Sequence, residues 1–143
     1  MRVLLDTNIL LDLILARAPF ASGAALLWEA QRDGRFDGYV SPISLINVFY
    51  IARKNKGIDE AREAVRMILA GFDVCALEMA AMHVALALPL NDYEDAVQVA
   101  SALACGLDAI ITRDAKDFKD ASLPVFSPPD FLAHLSADDQ ASV

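Results

Sequence analysis

The 143-residue chain has few of the residues from which several common kinds of site are built. Its two cysteines, Cys75 and Cys105, lack the spacing of metal ligands, so we expect free thiols in a reducing compartment. Its two histidines, His83 and His134, have no evident serine or cysteine partner, which disfavours nucleophilic catalysis. Its six glycines form no phosphate-binding loop, so nothing in the sequence supports hydrolysis of nucleoside triphosphates.

Long apolar runs are also missing. The stretch from Met79 to Leu90 has no Asp, Glu, Lys or Arg, but it contains Pro89 and is too short to cross a bilayer. The first acid, Asp6, comes too early in the chain for a signal peptide. We therefore expect a cytoplasmic protein that does not enter a membrane.

Basic residues are scarce, with 12 Lys and Arg against 20 Asp and Glu and a net charge of −8. This balance argues against long-range attraction to nucleic acid, although an acidic site that binds cations can still act on phosphodiesters. The charge also suits a basic protein partner. With 56% apolar and 22% charged residues, the chain is not disordered. We expect one domain over residues 1–135 and a C-terminal tail over residues 136–143.

Short apolar runs alternate with segments of helical pattern along the whole chain. The pattern predicts strands over Arg2–Leu5, Gly38–Val40, Phe72–Ala76, Ala109–Thr112 and Pro124–Phe126. It predicts helices over Asn8–Ala16, Phe20–Arg32, Ser41–Asn55, Ile58–Ala70, Glu78–Leu88, Asn91–Cys105 and from Pro128 to about Leu135. This alternation is typical of an α/β fold with a parallel sheet covered on both faces.

Several acids follow the predicted strands or open a predicted helix. Asp6 comes directly after the first strand, and Asp114 lies two residues beyond Thr112. Asp92 and Asp95 stand three residues apart at the start of a helix, so they share one face. In parallel sheets the ligand site lies beyond the carboxyl ends of the strands. These acids are therefore candidate ligands of a cation.

Helix capping is the simpler explanation for some of these acids. Asp6 alone is well explained as the cap of the next helix, and Asp92 and Glu94 suit the positive end of the helix dipole. Capping explains Asp95 less well, because the helix after it is apolar on nearly every face and should be buried. Asp117 and Asp120 are expected to be solvated loop acids.

Electrostatic repulsion limits how closely such acids can approach one another. If Asp6, Asp95 and Asp114 lie within about 5 Å of each other, each pair of charges costs ~3 kcal/mol at an effective dielectric constant of ~20. Three pairs would cost about 10 kcal/mol, which is comparable to the stability of a whole domain. A bound cation, a basic side chain or raised pKa values must relieve this cost. A site of a few carboxylates suits Mg²⁺ or Mn²⁺.

Four stretches of the chain together resemble the PIN-domain family, and in particular its VapC-like toxins. They are Val3–Asp12, Ser41–Asn47, Asp92–Ala102 and Asp108–Phe118, in the order in which the family has them. The resemblance implies a three-layer α/β/α fold with a central, mostly parallel sheet. It also implies metal-dependent cleavage of RNA, with Mg²⁺ or Mn²⁺ as the cofactor.

The resemblance assigns roles to individual residues of this chain. Asp6, Asp95 and Asp114 match the family's metal-binding and catalytic acids. Asp92 matches an additional acid found in some PIN-like sequences, and Thr112 matches a hydroxyl residue beside the metal site. In this chain, Thr112 and Arg113 are our candidates for contact with the substrate.

One position departs from the family's pattern. Many members have Glu in the middle helix where this chain has Asn47, which keeps an oxygen acceptor but loses a negative charge. Asn47 is therefore either a catalytic residue that binds a metal-bound water or a sign of weakened activity. For the function of the whole chain, the alternative to a ribonuclease is a non-catalytic PIN-like module that binds protein. A phosphoacceptor receiver domain is a third, because it also gathers aspartates at a sheet edge.

Partners are implied by the resemblance alone. We expect an RNA substrate, a small antitoxin protein with a basic segment, and a second copy of this chain in a homodimer. Single-stranded RNA is the expected substrate class, because readers of RNA sequence usually meet unpaired bases. The basic run from Arg53 to Lys56 is expected to be a solvated helix end, with contact to phosphate as the alternative.

Overall fold

Short strands alternate with helices in the computed structural model, which describes residues 1–142. The strands are β1 (Arg2–Leu5), β2 (Asp37–Val40), β3 (Asp73–Val74), β4 (Ala109–Ile111) and β5 (Val125–Phe126). The helices are α1 (Thr7–Ile14), α2 (Ala21–Arg32), α3 (Pro42–Lys56), α4 (Ile58–Gly71), α5 (Met79–Ala87), α6 (Tyr93–Ala104) and α7 (Pro128–Ala141). A 3₁₀ turn over Ala115–Phe118 follows β4.

The five strands form one sheet in the order β3-β2-β1-β4-β5, and every pair is parallel. From β1 the chain adds β2 and β3 on one side and then returns to add β4 and β5 on the other. The order therefore reverses between β1 and β4, which makes this the switch point of the sheet. Ligand sites in open α/β sheets lie outside the carboxyl ends of the strands at such a point.

The alternation of side chains along β1 divides the core between the two faces of the sheet. Val3 and Leu5 pack among buried residues of α1, α2, α3 and α4 on one face. Leu4 packs with Val99 of α6 and Phe118 of the 3₁₀ turn on the other. Helices thus cover both faces, and the α/β/α architecture expected from the sequence is confirmed.

Capping residues set the starts of the helices that matter for the site. The hydroxyl of Ser41 accepts from the N–H of Ile43 at 3.1 Å, and Pro42 occupies the first turn of α3, as predicted. Asp92 caps α6 through the N–H of Asp95 at 3.0 Å. The longest helix, α3, has 15 residues. Within residues 1–142 no helix combines the length and the apolar character that crossing a membrane requires.

The last helix is longer than predicted. We expected it to end near Leu135, but α7 continues to Ala141. No Gly or Pro interrupts residues 136–141, and the ion pair between Arg35 and Asp139 at 2.6 Å fastens this part of the helix to the domain. The division into a domain over residues 1–135 and a tail over residues 136–143 remains a prediction.

The two cysteines are paired, so the expectation of free thiols is wrong for this structure. Cys75 follows β3 and Cys105 ends α6, and their Cα atoms are 6.4 Å apart with the Sγ atoms joined as a disulfide. This Cα separation lies within the usual range for disulfides. Thirty residues separate the two in sequence, and only the packing of α6 beside β3 brings them together.

Two glycines offer a matched test of how closely side chains pack against β2 and α2. A Cβ atom on Gly38 of β2 would lie 2.6 Å from the Phe72 ring and 2.9 Å from Oε1 of Gln31. A Cβ atom on Gly23 of α2 would lie 3.7 Å from Pro128, an ordinary contact. We expect Gly38→Ala to lower the free energy of unfolding by about 1–3 kcal/mol. We expect Gly23→Ala to raise it by about 0.5–1 kcal/mol, because alanine favours a helix.

Urea denaturation of the two variants checks this expectation. Equal changes in the two variants would contradict the close approach of the Phe72 ring to β2.

Candidate functional site

Asp6 lies at the switch point, directly after β1. Its backbone N–H donates to the carbonyl oxygen of Ile111 at 3.0 Å, which extends the pairing of β1 with β4 by one residue. The hydroxyl of Thr112, the residue after β4, donates to Oδ2 of Asp6 at 2.8 Å. Asp6 is 7% exposed. The register of two neighbouring strands therefore brings a buried acid and a hydroxyl into contact.

Two further donors hold the other carboxylate oxygen of Asp6. The N–H of Thr7 donates to Oδ1 at 2.7 Å, so Asp6 is the cap of α1 that the sequence suggested. Nε2 of Gln98 on α6 donates to the same oxygen at 3.0 Å. Three donors thus fix the orientation of this carboxylate, and the Gln98 contact shows that α6 packs against the same corner.

Asp114 is tied to this corner from the other side. Its backbone N–H donates to the Thr112 hydroxyl oxygen at 3.1 Å. Its Oδ2 accepts from Nδ2 of Asn8 on α1 at 3.0 Å, while the residue itself is exposed. The hydroxyl of Thr112 therefore bridges Asp6 and Asp114, so the two acids belong to one hydrogen-bonded network.

Asp95 on α6 completes the set of three acids. Burial, which is the largest cause, and the nearby carboxylates of Asp92, Asp6, Asp117 and Glu94 raise its pKa to about 7. The contribution of Asp6 places the two acids within electrostatic reach of each other. The two acids are far apart in sequence, and the fold brings them near enough for their charges to interact.

A cleft of about 460 Å³ opens beside Asp95. It is lined by Pro89, Leu90, Asn91, Asp92, Asp95, Lys116, Asp117, Lys119 and Asp120. The sequence suggested that Asp117 and Asp120 are only solvated loop acids, but both line this cleft together with Asp92. Two lysines lie among its acids, so the walls carry both signs of charge.

The two candidates for substrate contact, Thr112 and Arg113, are placed in different ways. Thr112 is fully buried, and its hydroxyl serves Asp6 and Asp114. Nε of Arg113 lies 2.7 Å from Oδ2 of Asp12, a carboxylate that is 1% exposed. The Arg113 guanidinium also lies 4.0 Å above the ring of Phe20. The Thr112 hydroxyl therefore orients the carboxylate of Asp6 and holds the backbone of Asp114, whereas Arg113 is engaged by side chains of the protein itself.

Asp12 receives a second cation from Arg17, whose Nε lies 3.0 Å from Oδ1. The backbone of Asp12 belongs to α1, whereas Arg113 lies in the loop after β4. The buried carboxylate therefore fastens the loop that carries Asp114 to the helix that carries Asn8. Sequence reasoning did not single out Asp12, because its partners are brought together only by the fold.

Asn47 on α3 faces α6. Its Nδ2 donates to Oε1 of Glu94 at 2.7 Å. Burial, followed by the charges of Asp92 and Asp6, raises the pKa of Glu94, and the hydrogen bond from Asn47 opposes this rise. Asn47 thus lies beside the acidic edge, which is the group of acids formed by Asp6, Asp92, Glu94, Asp95 and Asp114. Its amide binds Glu94, an acid that the sequence analysis assigned only to the helix dipole.

The sequence from residue 2 to residue 116 matches the family model of the PIN domain. The chain belongs to the PIN-domain family. A comparison with curated proteins finds no match.

The fold of this PIN domain is similar to that of several solved structures. A toxin–antitoxin complex from Klebsiella pneumoniae shares 29% identity, covering 88% of this chain and 97% of that one, with a TM-score of 0.65. A DNA-bound VapBC from Salmonella typhimurium shares 16% identity over 90% and 98% of the two chains, with a TM-score of 0.70. VapC20 of Mycobacterium tuberculosis, a toxin that cleaves the sarcin–ricin loop, shares 18% identity, covering 85% of this chain and 95% of that one, with a TM-score of 0.69.

The likeness to these structures shows the fold, and membership of the PIN-domain family supports a role of the nuclease type. The resemblance stated from the four sequence motifs is confirmed by the family match and by the fold. The all-parallel sheet with helices on both faces agrees with the PIN-like architecture.

Three polar side chains of this PIN domain were missed by sequence reasoning: Asn8, Gln98 and Glu94. Gln98 carried a signal, since it is the one amide in the buried part of an otherwise apolar helix, four residues after Glu94. Asn8 carried none beyond its place after Asp6. Asn8 and Gln98 contact acids of the acidic edge, and Glu94, one of those acids, contacts Asn47.

The donor set of this edge suits a divalent cation. The groups available to bind a metal ion are carboxylate oxygens, which Mg²⁺ and Mn²⁺ prefer as ligands. The buried Oε1 of Gln98, next to Asp6, has no hydrogen-bond partner within residues 1–142. Across those residues, no three His, Cys, Asp or Glu side chains are arranged to hold an ion together. Mg²⁺ commonly takes one or two carboxylates and keeps several waters, so the residues fit an ion held in that way.

The buried ion pairs of Asp12 predict a large loss of stability on neutralisation. Asp12→Asn leaves Arg113 and Arg17 without their anion, and we expect the free energy of unfolding to fall by about 3 kcal/mol. Asp139→Asn removes the exposed pair with Arg35, and we expect a loss of at most about 1 kcal/mol. Chemical denaturation measures both, and equal losses would contradict the bracing role of Asp12.

The raised pKa of Asp95 predicts how stability depends on pH. The folded chain keeps the Asp95 proton up to about pH 7, whereas the unfolded chain releases it near the ordinary value of 3.8. Stability should therefore fall as the pH rises between these values. We expect Asp95→Asn to be more stable than wild type by about 1–2 kcal/mol at high pH, after allowance for partial exposure of the side chain.

Urea denaturation in EDTA at pH 5 and pH 8 tests this expectation. The stability advantage of Asp95→Asn should be larger at pH 8. An advantage that is the same at both pH values would show that Asp95 titrates normally in the folded chain.

Proposed function

We propose that this PIN domain is a ribonuclease that depends on Mg²⁺ or Mn²⁺ and hydrolyses phosphodiester bonds in single-stranded RNA. The observation that carries the proposal is the Thr112 hydroxyl bridge, which joins Asp6 and Asp114 at the switch point with Asp95 within electrostatic reach. Such a collection of like charges is costly unless a cation, a basic side chain or a raised pKa relieves it, and a bound divalent cation would do so.

Asp6, Asp95 and Asp114 would hold the ion, either directly or through its waters, with Asp92 at the rim of the cleft. A bound ion of this kind lowers the pKa of a coordinated water and neutralises the phosphate oxygens. Asp6 is oriented by its three donors and needs little rearrangement, whereas Asp114 is exposed and one of its carboxylate oxygens is held by Asn8. Thr112 keeps these two acids in register and acts as a positioning residue.

RNA would approach through the cleft beside Asp95. Lys116 and Lys119 in its wall supply the positive charge that phosphates require. Arg113 is partly exposed despite its pairing with Asp12, so a contact with substrate remains a proposal for it. The resemblance to the family implies products with 5′-phosphate and 3′-hydroxyl ends.

We also propose that the chain is the toxin of a type II toxin–antitoxin pair in the cytoplasm. Among its structural neighbours are VapBC complexes, and the net charge of −8 suits an antitoxin with a basic segment. A second copy of the chain would form a homodimer. Exposed apolar residues on α2 and α4, among them Leu26, Met67 and Leu69, offer surfaces for these partners.

A non-catalytic module that binds protein is the second candidate function. The observation that favours it is that no three acidic side chains within residues 1–142 are poised to hold an ion. The two functions differ in one measurable property, which is cleavage that requires both a divalent cation and the acids of the edge.

Cleavage of a fluorescent single-stranded RNA pool tests the proposed function. We expect cleavage with Mg²⁺ or Mn²⁺ and none with EDTA. Asp6→Asn, Asp95→Asn and Asp114→Asn should each lower the rate by about 100-fold or more, since each removes a carboxylate ligand. Asp138→Asn, at an exposed position on α7, is the matched control and should cleave like wild type.

Absence of cleavage by folded, metal-loaded wild-type protein would argue for the binding module. Cleavage that persists in EDTA, or in all three variants, would instead point to contamination or to a different site.

A further inference from the structure

One carboxylate of the acidic edge, that of Glu94, is not among the groups assigned above to the ion. Its Oε1 accepts a hydrogen bond from Nδ2 of Asn47 at 2.7 Å, a bond between the start of α6 and the middle of α3. The two residues are 47 positions apart in sequence. The contact is therefore a product of the way in which α3 and α6 are placed around Asp6.

A closed circuit of contacts sets that placement. On α6, Gln98 binds Asp6, and Glu94 lies one turn earlier on the same face. On α3, Ser44 lies one turn before Asn47, and its hydroxyl is 2.7 Å from that of Thr7, the residue after Asp6. Both helices are thus fastened to the end of β1 by one side chain. One turn away on the same face, α6 carries Glu94 and α3 carries Asn47, and these two side chains form the bond between the helices.

The surroundings of Glu94 distinguish it from an ordinary surface acid. Asn47 is half-buried and Ser44 is buried, so the donor that holds Glu94 has little freedom to move. Glu94 itself is exposed, and its Oε2 accepts no hydrogen bond from the described part of the chain, residues 1–142. One carboxylate oxygen is therefore anchored, and the other is accessible to solvent at the acidic edge.

We propose that Glu94, oriented by Asn47, is a further functional carboxylate of the cation site and binds a water of the ion. This inference rests on the proposed function. It gives Asn47 a defined task, since the amide at position 47 positions a carboxylate that comes from α6. The loss of charge at position 47 is then compensated within the site, because Glu94 of α6 places a negative charge beside Asn47.

Exchange of the two partners is the sharpest test. Glu94→Gln removes the charge and keeps the shape, while Asn47→Glu combined with Glu94→Gln moves the charge to α3 and preserves an amide–carboxylate pair. Glu29→Gln, at an exposed position on α2, is the matched control. Mn²⁺ affinity of EDTA-stripped protein is measured by titration calorimetry, alongside cleavage of the RNA pool and thermal unfolding.

We expect Glu94→Gln to weaken Mn²⁺ binding and to slow cleavage by about 10-fold or more, as for other groups that orient a metal's ligands. Its unfolding temperature should not fall, because an exposed hydrogen bond contributes little to stability. The double variant should recover most of the lost affinity and rate. The control should match wild type in all three measurements.

Two results would overturn the inference on its own. One is a Glu94→Gln variant that binds Mn²⁺ and cleaves RNA like wild type, and the other is a double variant no better than Glu94→Gln. Failure of the proposed function has a different signature, since wild-type protein would then neither bind Mn²⁺ nor cleave RNA, and the inference would fall with it.

Discussion

The buried carboxylate of Asp6 accepts hydrogen bonds from three parts of the fold, and the rest of the acidic edge is arranged around it. Thr7 opens α1, Gln98 belongs to α6, and Thr112 follows β4. Because all three donors must converge on one group, the positions of α1, α6 and the loop after β4 are coupled. Any function of this edge depends on that coupling, since it also determines where Asp95 and Asp114 lie.

Repulsion among the acids is the cost of this arrangement. Two carboxylates about 5 Å apart repel by ~3 kcal/mol at an effective dielectric constant of ~20. Burial, and after it repulsion by the neighbouring carboxylates, raises the pKa of Asp95 to about 7. A second buried acid, Asp12, avoids the problem because Arg17 and Arg113 neutralise it. The contrast separates a buried acid that braces the fold from acids whose charges no Lys or Arg pairs with among the ion pairs of residues 1–142.

The net charge of the chain and the charges in the cleft would act on a nucleic acid in opposite directions. A net charge of −8 repels RNA at a distance, but Lys116 and Lys119 place positive charge in the wall next to Asp95. Local attraction at the cleft and a bound cation at the edge would together offset the repulsion. The same negative surface favours a basic protein partner, so both expected partners are compatible with one charge distribution.

Strong local patterns made much of the fold predictable. Apolar runs such as Val3–Leu5 and Ile110–Ile111 are typical of buried parallel strands, and Ser41–Pro42 has the chemistry of a helix start. Predictions failed where the signal was weak or the partner distant. Residues 136–141 lack helix breakers but have no apolar pattern, and the pairing of Cys75 with Cys105 depends on how α6 packs.

The sequence by itself determined the family, the alternation of strands and helices, and the three acids that follow strands or open a helix, because these are properties of neighbouring residues. Only the tertiary structure decided that Thr112 bridges Asp6 and Asp114 and that Arg113 pairs with a buried acid. It likewise decided that Asn47 holds Glu94. Each of these contacts joins distant segments, and its existence depends on strand register and helix packing, which no local pattern encodes.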